Sequence, residues 1–126
     1  MSDVPAPSAR VFLKTQGDFD RVKRDGVRVT TRFFNMLFCA SGREETRVGI
    51  VVGRRFGNAV ARNRGKRVFR ALVRTTRERL LRGNDLVIFP KRPVLAISHS
   101  ALYTTWVTTL TSRGLMVPPD PLSCAR

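Results

Sequence analysis

The sequence predicts an α+β fold, a two-layer α/β sandwich with its elements in the order α-β-β-β-α-β-α. Three observations carry this reading. Hydrophobic residues make up 42% of the 126, enough for one core and too many for a disordered basic tail. Four short apolar runs, rich in β-branched or aromatic residues, are bounded by Gly, Pro and polar residues. Between the third and fourth lies a long segment whose apolar residues recur at helical spacing.

In chain order, residues 1–9 (MSDVPAPSA) are small, polar and Pro-containing, and a mobile arm is expected there. A short helix follows near Gly17 to Arg24, with Phe19 and Val22 on one face and Gly26 as its stop. Val27 to Thr31 is β-branched. Phe33 to Ala40 is apolar, with Phe34, Met36 and Phe38 alternating toward the core. Residues 41–45 read as a hairpin connection. Arg47 to Val52 is apolar on both faces and so is expected to be a central strand. Gly53 to Gly57 is a basic turn. Asn58 is placed to cap a long helix running to about Leu81, and Gly83 to end it. Asp85 to Pro90 is a short buried strand. Ser98 caps a last helix in which Leu102, Trp106 and Leu110 recur every four residues. One domain is expected over residues 10–113, followed by a Pro-rich flexible tail over 114–126.

The charge is lopsided. Twenty Arg and four Lys stand against nine acids, a formal net charge of +15. Eleven of these cations, and only one acid, Glu78, lie between Arg54 and Arg82, so that under a quarter of the chain carries +10. An evenly solvated surface would mix the signs, and a dedicated polyanion site is the better reading. No apolar run approaches the roughly 18 residues of a membrane span. The start has no secretory apolar stretch. Two cysteines, Cys39 and Cys124, make no disulfide framework, and a reducing compartment fits.

At about 100° per residue, Arg62, Lys66, Arg70, Arg74 and Arg77 fall on one side of the long helix. Asn63, Arg64 and Arg67 extend that side, while Ala61, Val68, Phe69 and Leu72 fall opposite and face the sheet. Like charges four apart weaken a helix by a few tenths of a kcal/mol per pair. Phosphates compensate through charge-assisted, often bidentate bonds, which favours Arg over Lys. A helix lying on a membrane would need the apolar side that the sheet takes.

Arg62-Asn63-Arg64-x-Lys66-Arg67, preceded by Gly57-Asn58-Ala59 and followed by Arg70, resembles the signature of the protein subunit of bacterial ribonuclease P. The resemblance covers about residues 10 to 113. It includes Phe12-Leu-Lys14 with Gly17-Asp-Phe19 and Gly26, Arg47 to Val52 followed by Arg54-Arg55, and Asp85 to Pro90. It implies a left-handed βαβ crossover, against the usual right-handed rule, and a bacterial cytoplasmic protein. It also implies a division of labour in which the RNA subunit is the Mg²⁺-dependent catalyst. The protein would bind that RNA and the 5′ leader of precursor tRNA, with no cofactor, membrane or small-molecule substrate of its own. By position, Arg54, Arg55, Arg62, Asn63, Arg64, Lys66, Arg67 and Arg70 would contact the catalytic RNA. Phe19, Leu37, Val51, Arg55, Arg62 and Asn63 would line a groove for the leader. Lys23 and Leu37 stand where aromatics are common in the family. Gly65 replaces an apolar residue and falls on the sheet-facing side, where it would permit close helix–sheet approach. Gly53, Ala71 and Val73 are further departures.

The residues themselves offer no nuclease chemistry. His99 is the one histidine, and no Cys/His spacing suits a metal. Asp18 and Asp20 point apart on the first helix, Glu44 and Glu45 lie in a turn, and no carboxylates cluster to hold two metals. Two other classes fit the charge, a non-catalytic RNA-binding protein such as a ribosomal component and a DNA-binding module. The first has no need to combine the Arg62-to-Arg67 spacing with the Phe19 segment. The second lacks a free recognition helix. For Phe19 the plain alternative is a core residue beneath the first helix.

Overall fold

The computed structural model describes residues 12, 13 and 15–117. The arm expected over residues 1–9 lies outside them. Helix α1 (Gln16–Asp25) leads into strands β1 (Val27–Thr30), β2 (Phe34–Ala40) and β3 (Arg47–Ile50). A 3₁₀ turn (Arg54–Phe56), helix α2 (Ala59–Thr76), strand β4 (Asn84–Pro90) and helix α3 (His99–Ser112) complete the expected order. Caps set the helix starts as the sequence indicates. The Asn58 side chain accepts from the Ala61 N–H at 2.9 Å, and Ser98 accepts from Ala101 at 3.1 Å. Thr15 does the same for Asp18 at 3.2 Å.

The sheet order is β1-β2-β4-β3, antiparallel except for the parallel β3–β4 pair. Two expectations are corrected here. Residues 41–45 do not close a hairpin, because β4 lies between β2 and β3 and bonds to both. Strand β3 is therefore at the edge, and β4 takes the centre. The apolar text of β3 has another cause: its free side is covered in part by the preceding chain. Phe12 bridges Val48 in parallel, and the Leu13 N–H donates to the Val48 carbonyl at 2.9 Å.

Alternation divides the sheet cleanly. Phe34, Met36, Val48, Leu86 and Ile88 point to one face, where Phe69, Leu72 and Val73 of α2 and Leu102, Trp106 and Leu110 of α3 complete the main core. Rings of Phe34, Phe69 and Trp106 meet at centroid distances of 5.5 to 6.2 Å, and the Trp106 indole N–H donates to buried Thr76 Oγ1 at 3.0 Å. On the other face α1 gives partial cover, with Val22 packed against Val87 and Leu13.

Helix α2 ends at Thr76 rather than near Leu81, and a 3₁₀ turn (Arg77–Arg79) follows. Thr76 is turned inward to Trp106, and Leu80 bridges Met116. Gly83 lies instead in the turn into β4, with φ +88°. The tail also begins later than residue 114: Leu115 and Met116 are buried, and the Leu81 N–H donates to the Leu115 carbonyl. The rest of that tail, residues 118–126, lies outside the described residues.

Candidate nucleic-acid interface

The buried side of α2 consists of Gly65, Phe69, Leu72, Val73 and Thr76. That leaves Asn63, Arg64, Arg67, Arg70 and Arg74 exposed away from the core, with Arg62 and Lys66 half-buried along the border of the buried side. Arg54 and Arg55 are exposed on the turn just before the helix. Among the described residues, no carboxylate pairs with Arg54, Arg55, Arg62, Arg64, Lys66, Arg67 or Arg70. The first turn of α2 holds no acid. The positive helix end and the cations thus reinforce each other, a suitable field for phosphate.

Arg62 differs from the rest of the row. Its Nη1 donates to the Gly57 carbonyl at 2.8 Å, tying the basic turn to the helix. Gly65 also differs from expectation. It is buried, but the close neighbour is the basic turn and not the sheet: a Cβ at residue 65 would lie 2.8 Å from Phe56 Cζ. Glycine thereby lets Phe56 seat deeply and holds Arg54 and Arg55 beside the first turns of α2.

On the opposite face of the sheet, Phe19, Leu37 and Val51 gather in one partly buried apolar cluster. The Phe19 ring edge lies on the backbone of Gly49, where a Cβ would come 2.7 Å from its Cζ. Arg55, Arg62 and Asn63 follow Val51 on the turn and the start of α2. Beside the buried Leu13, Val22 and Val87, two more of its partly buried members, Cys39 and Phe89, were not expected there. Alternation along β2 and β4 marks both, since Cys39 is two residues from Leu37 and Phe89 two from Val87.

A buried ionic network fixes α1 over this face, and it too went unread. Asp85, fully buried on β4, accepts from Arg47 Nη2 at 3.0 Å and Nε at 3.1 Å, and from Arg21 of α1. Arg47 Nη1 also donates to Asp18 at 3.2 Å. Hydrogen bonding from Thr15, then from Arg47, holds the Asp18 carboxyl below its ordinary value. Bonding to Asp85 raises Arg47 above its own. Burial pushes the Cys39 thiol up, away from the reactive thiolate. Among the described residues no three His, Cys, Asp or Glu side chains are grouped to hold a metal ion, and no helix is long and apolar enough to cross a membrane.

The ribonuclease P family model matches residues 8–113, which include both faces of this site. The chain belongs to the ribonuclease P protein family. A ribonuclease P protein component from Desulforapulum autotrophicum is 33% identical over 99 residues, covering 79% of this chain and 84% of the relative. One from Thermotoga maritima is 34% identical over 83 residues, covering 66% and 71%. The solved ribonuclease P protein of Thermotoga maritima superposes with a TM-score of 0.72 at 27% identity, covering 79% of this chain and 94% of that one. The Staphylococcus aureus protein, at 24% identity and a TM-score of 0.74 over 84% and 97% of the two chains, shares the fold. As a ribonuclease P protein, this chain is the protein subunit of the enzyme that matures tRNA 5′ ends.

Proposed function

We propose that the two faces divide the binding work. Arg54, Arg55, Arg62, Asn63, Arg64, Lys66, Arg67 and Arg70 hold the catalytic RNA, and the cluster of Phe19, Leu37 and Val51, with Arg55, Arg62 and Asn63 beyond it, holds the single-stranded 5′ leader of precursor tRNA. The observation that carries this reading is the row of Arg side chains on α2 without carboxylate partners among the described residues, continued by the turn that follows Val51. Phosphates satisfy the row, and a leader base stacks on Phe19, the one aromatic of these three, contributing ~1–3 kcal/mol. Divalent metal is used by the RNA, and the protein positions the substrate. The work takes place in the bacterial cytoplasm.

The test is reconstitution with the catalytic RNA. Wild-type protein stimulates precursor cleavage at low Mg²⁺, and the RNA-free protein cleaves nothing. Arg62→Ala with Arg67→Ala weakens RNA binding and lowers the salt slope by up to about two, each lost phosphate contact removing about 0.7–0.9. Absence of stimulation by the wild type, or cleavage by protein alone, overturns the proposal.

A further inference from the structure

The basic row of α2 passes a cavity that these roles leave unused. Its volume is about 140 Å³, and it lies between α2, the 3₁₀ segment Arg92–Ala96 and the first turn of α3. Val94 and Leu102 are buried within it, and Val68 and Ile97 are half-buried. Arg64 and His99 line it too, and both are exposed.

The chemistry of the lining selects the occupant. The aliphatic part of the lining suits a flat hydrophobic group, while exposed Arg64, Ser98 and His99 make the rest of it polar, and the cation calls for an anion attached to that group. Among the described residues no carboxylate lines the cavity to hold a cationic ligand, and the first turn of α3 carries no acid. A nucleotide meets both demands, with a base for the slot and a phosphate for Arg64. Unpaired nucleotides turn their bases out in this way where a protein offers an apolar or aromatic seat. Arg64 belongs to the same row as Arg67 and Arg70, so the strand that supplies the phosphate is the one lying on α2.

We propose that this cavity seats the base of one unpaired nucleotide of the catalytic RNA, with Arg64 on its phosphate and His99 beside the base. The inference rests on the reading that α2 faces the catalytic RNA.

Filling the slot separates base insertion from charge. Full-length wild type, Ile97→Trp, Leu95→Trp and Arg64→Ala are titrated with catalytic RNA over a salt series, with thermal unfolding of each recorded. The tryptophan variants are expected to bind about ten-fold or more weakly at every salt concentration with the wild-type slope, because no phosphate contact is lost. Arg64→Ala lowers the slope by about 0.7–0.9. Chemical probing of the RNA shows one unpaired nucleotide protected by wild type and exposed again with Ile97→Trp. If Ile97→Trp unfolds early, Leu95→Trp, at a half-buried position of the same lining, decides the matter. Stably folded tryptophan variants that bind as tightly as wild type overturn the inference, as does a loss confined to precursor tRNA. A wild type that fails to bind catalytic RNA at all would instead remove the underlying reading.

Discussion

Phe56 seats its ring end against Gly65, so close that a single added methyl would lie 2.8 Å from Cζ and 3.0 Å from Cε2. The pair joins a buried aromatic of the basic turn to a gap in the apolar side of α2. Gly65→Ala gains about 1 kcal/mol of helix propensity but forces Phe56 to move within a packed site, at a cost of ~1–3 kcal/mol. The variant is therefore expected to unfold at lower denaturant. Adding Phe56→Leu makes room and recovers part of the loss. Equal midpoints for wild type and Gly65→Ala would mean that the contact is slack.

Phe19 and Gly49 form a second such pair, and they separate packing from leader binding. Phe19→Ala is expected to weaken precursor tRNA with a leader more than mature tRNA, when affinities of the reconstituted holoenzyme for both are compared. Gly49→Ala keeps the aromatic but displaces it, and shifts the same ratio in the same direction. Equal losses on both RNAs would reduce Phe19 to a core residue.

Asp85 holds two arginines from different elements. Asp85→Ala leaves Arg47, whose side chain is only 13% exposed, without its main partner, and is expected to cost about 3–5 kcal/mol. Arg21→Ala costs less, because its side chain is 30% exposed and Asp85 keeps Arg47. Urea unfolding of the three proteins checks the order.

Asp18 contributes a pH dependence of known sign. Its carboxyl is held below the ordinary value, first by Thr15 and then by Arg47. The stabilisation is therefore complete above the unfolded value of about 3.9 and is lost as pH falls through the lower folded value. Asp18→Asn should be less stable than wild type at neutral pH, with the gap closing below about pH 4. A gap that stays constant into acid would show that the charge on Asp18 contributes nothing.

What was legible in the sequence was local. Asn58 and Ser98 announce helix starts through their own side chains, and the spacing of Phe69 and Leu72 separates the two sides of α2 without reference to any partner. What stayed hidden joins distant residues. Nothing near residues 47–52 says that β4 will lie between them and β2, since an apolar edge strand reads like a central one. Asp18, Arg21, Arg47 and Asp85 are unremarkable apart and form a network only after the sheet closes. The neighbour of Gly65 is equally invisible, because a missing side chain does not name what fills its place.

The central position of β4 has a consequence for how the protein comes into being. During synthesis β1 and β2 can pair as soon as they emerge, but β3, apart from the short contact of Phe12 and Leu13 with Val48, has no neighbouring strand until residues 84–90 follow it. By then the whole arginine helix has been made. Its apolar side has no finished surface to rest on, and pairings across such sequence distances are slow to form. The nascent chain therefore carries its densest positive charge through a stage in which any passing polyanion meets an unfinished fold. Closure of one seven-residue strand turns that loose cationic segment into an ordered surface.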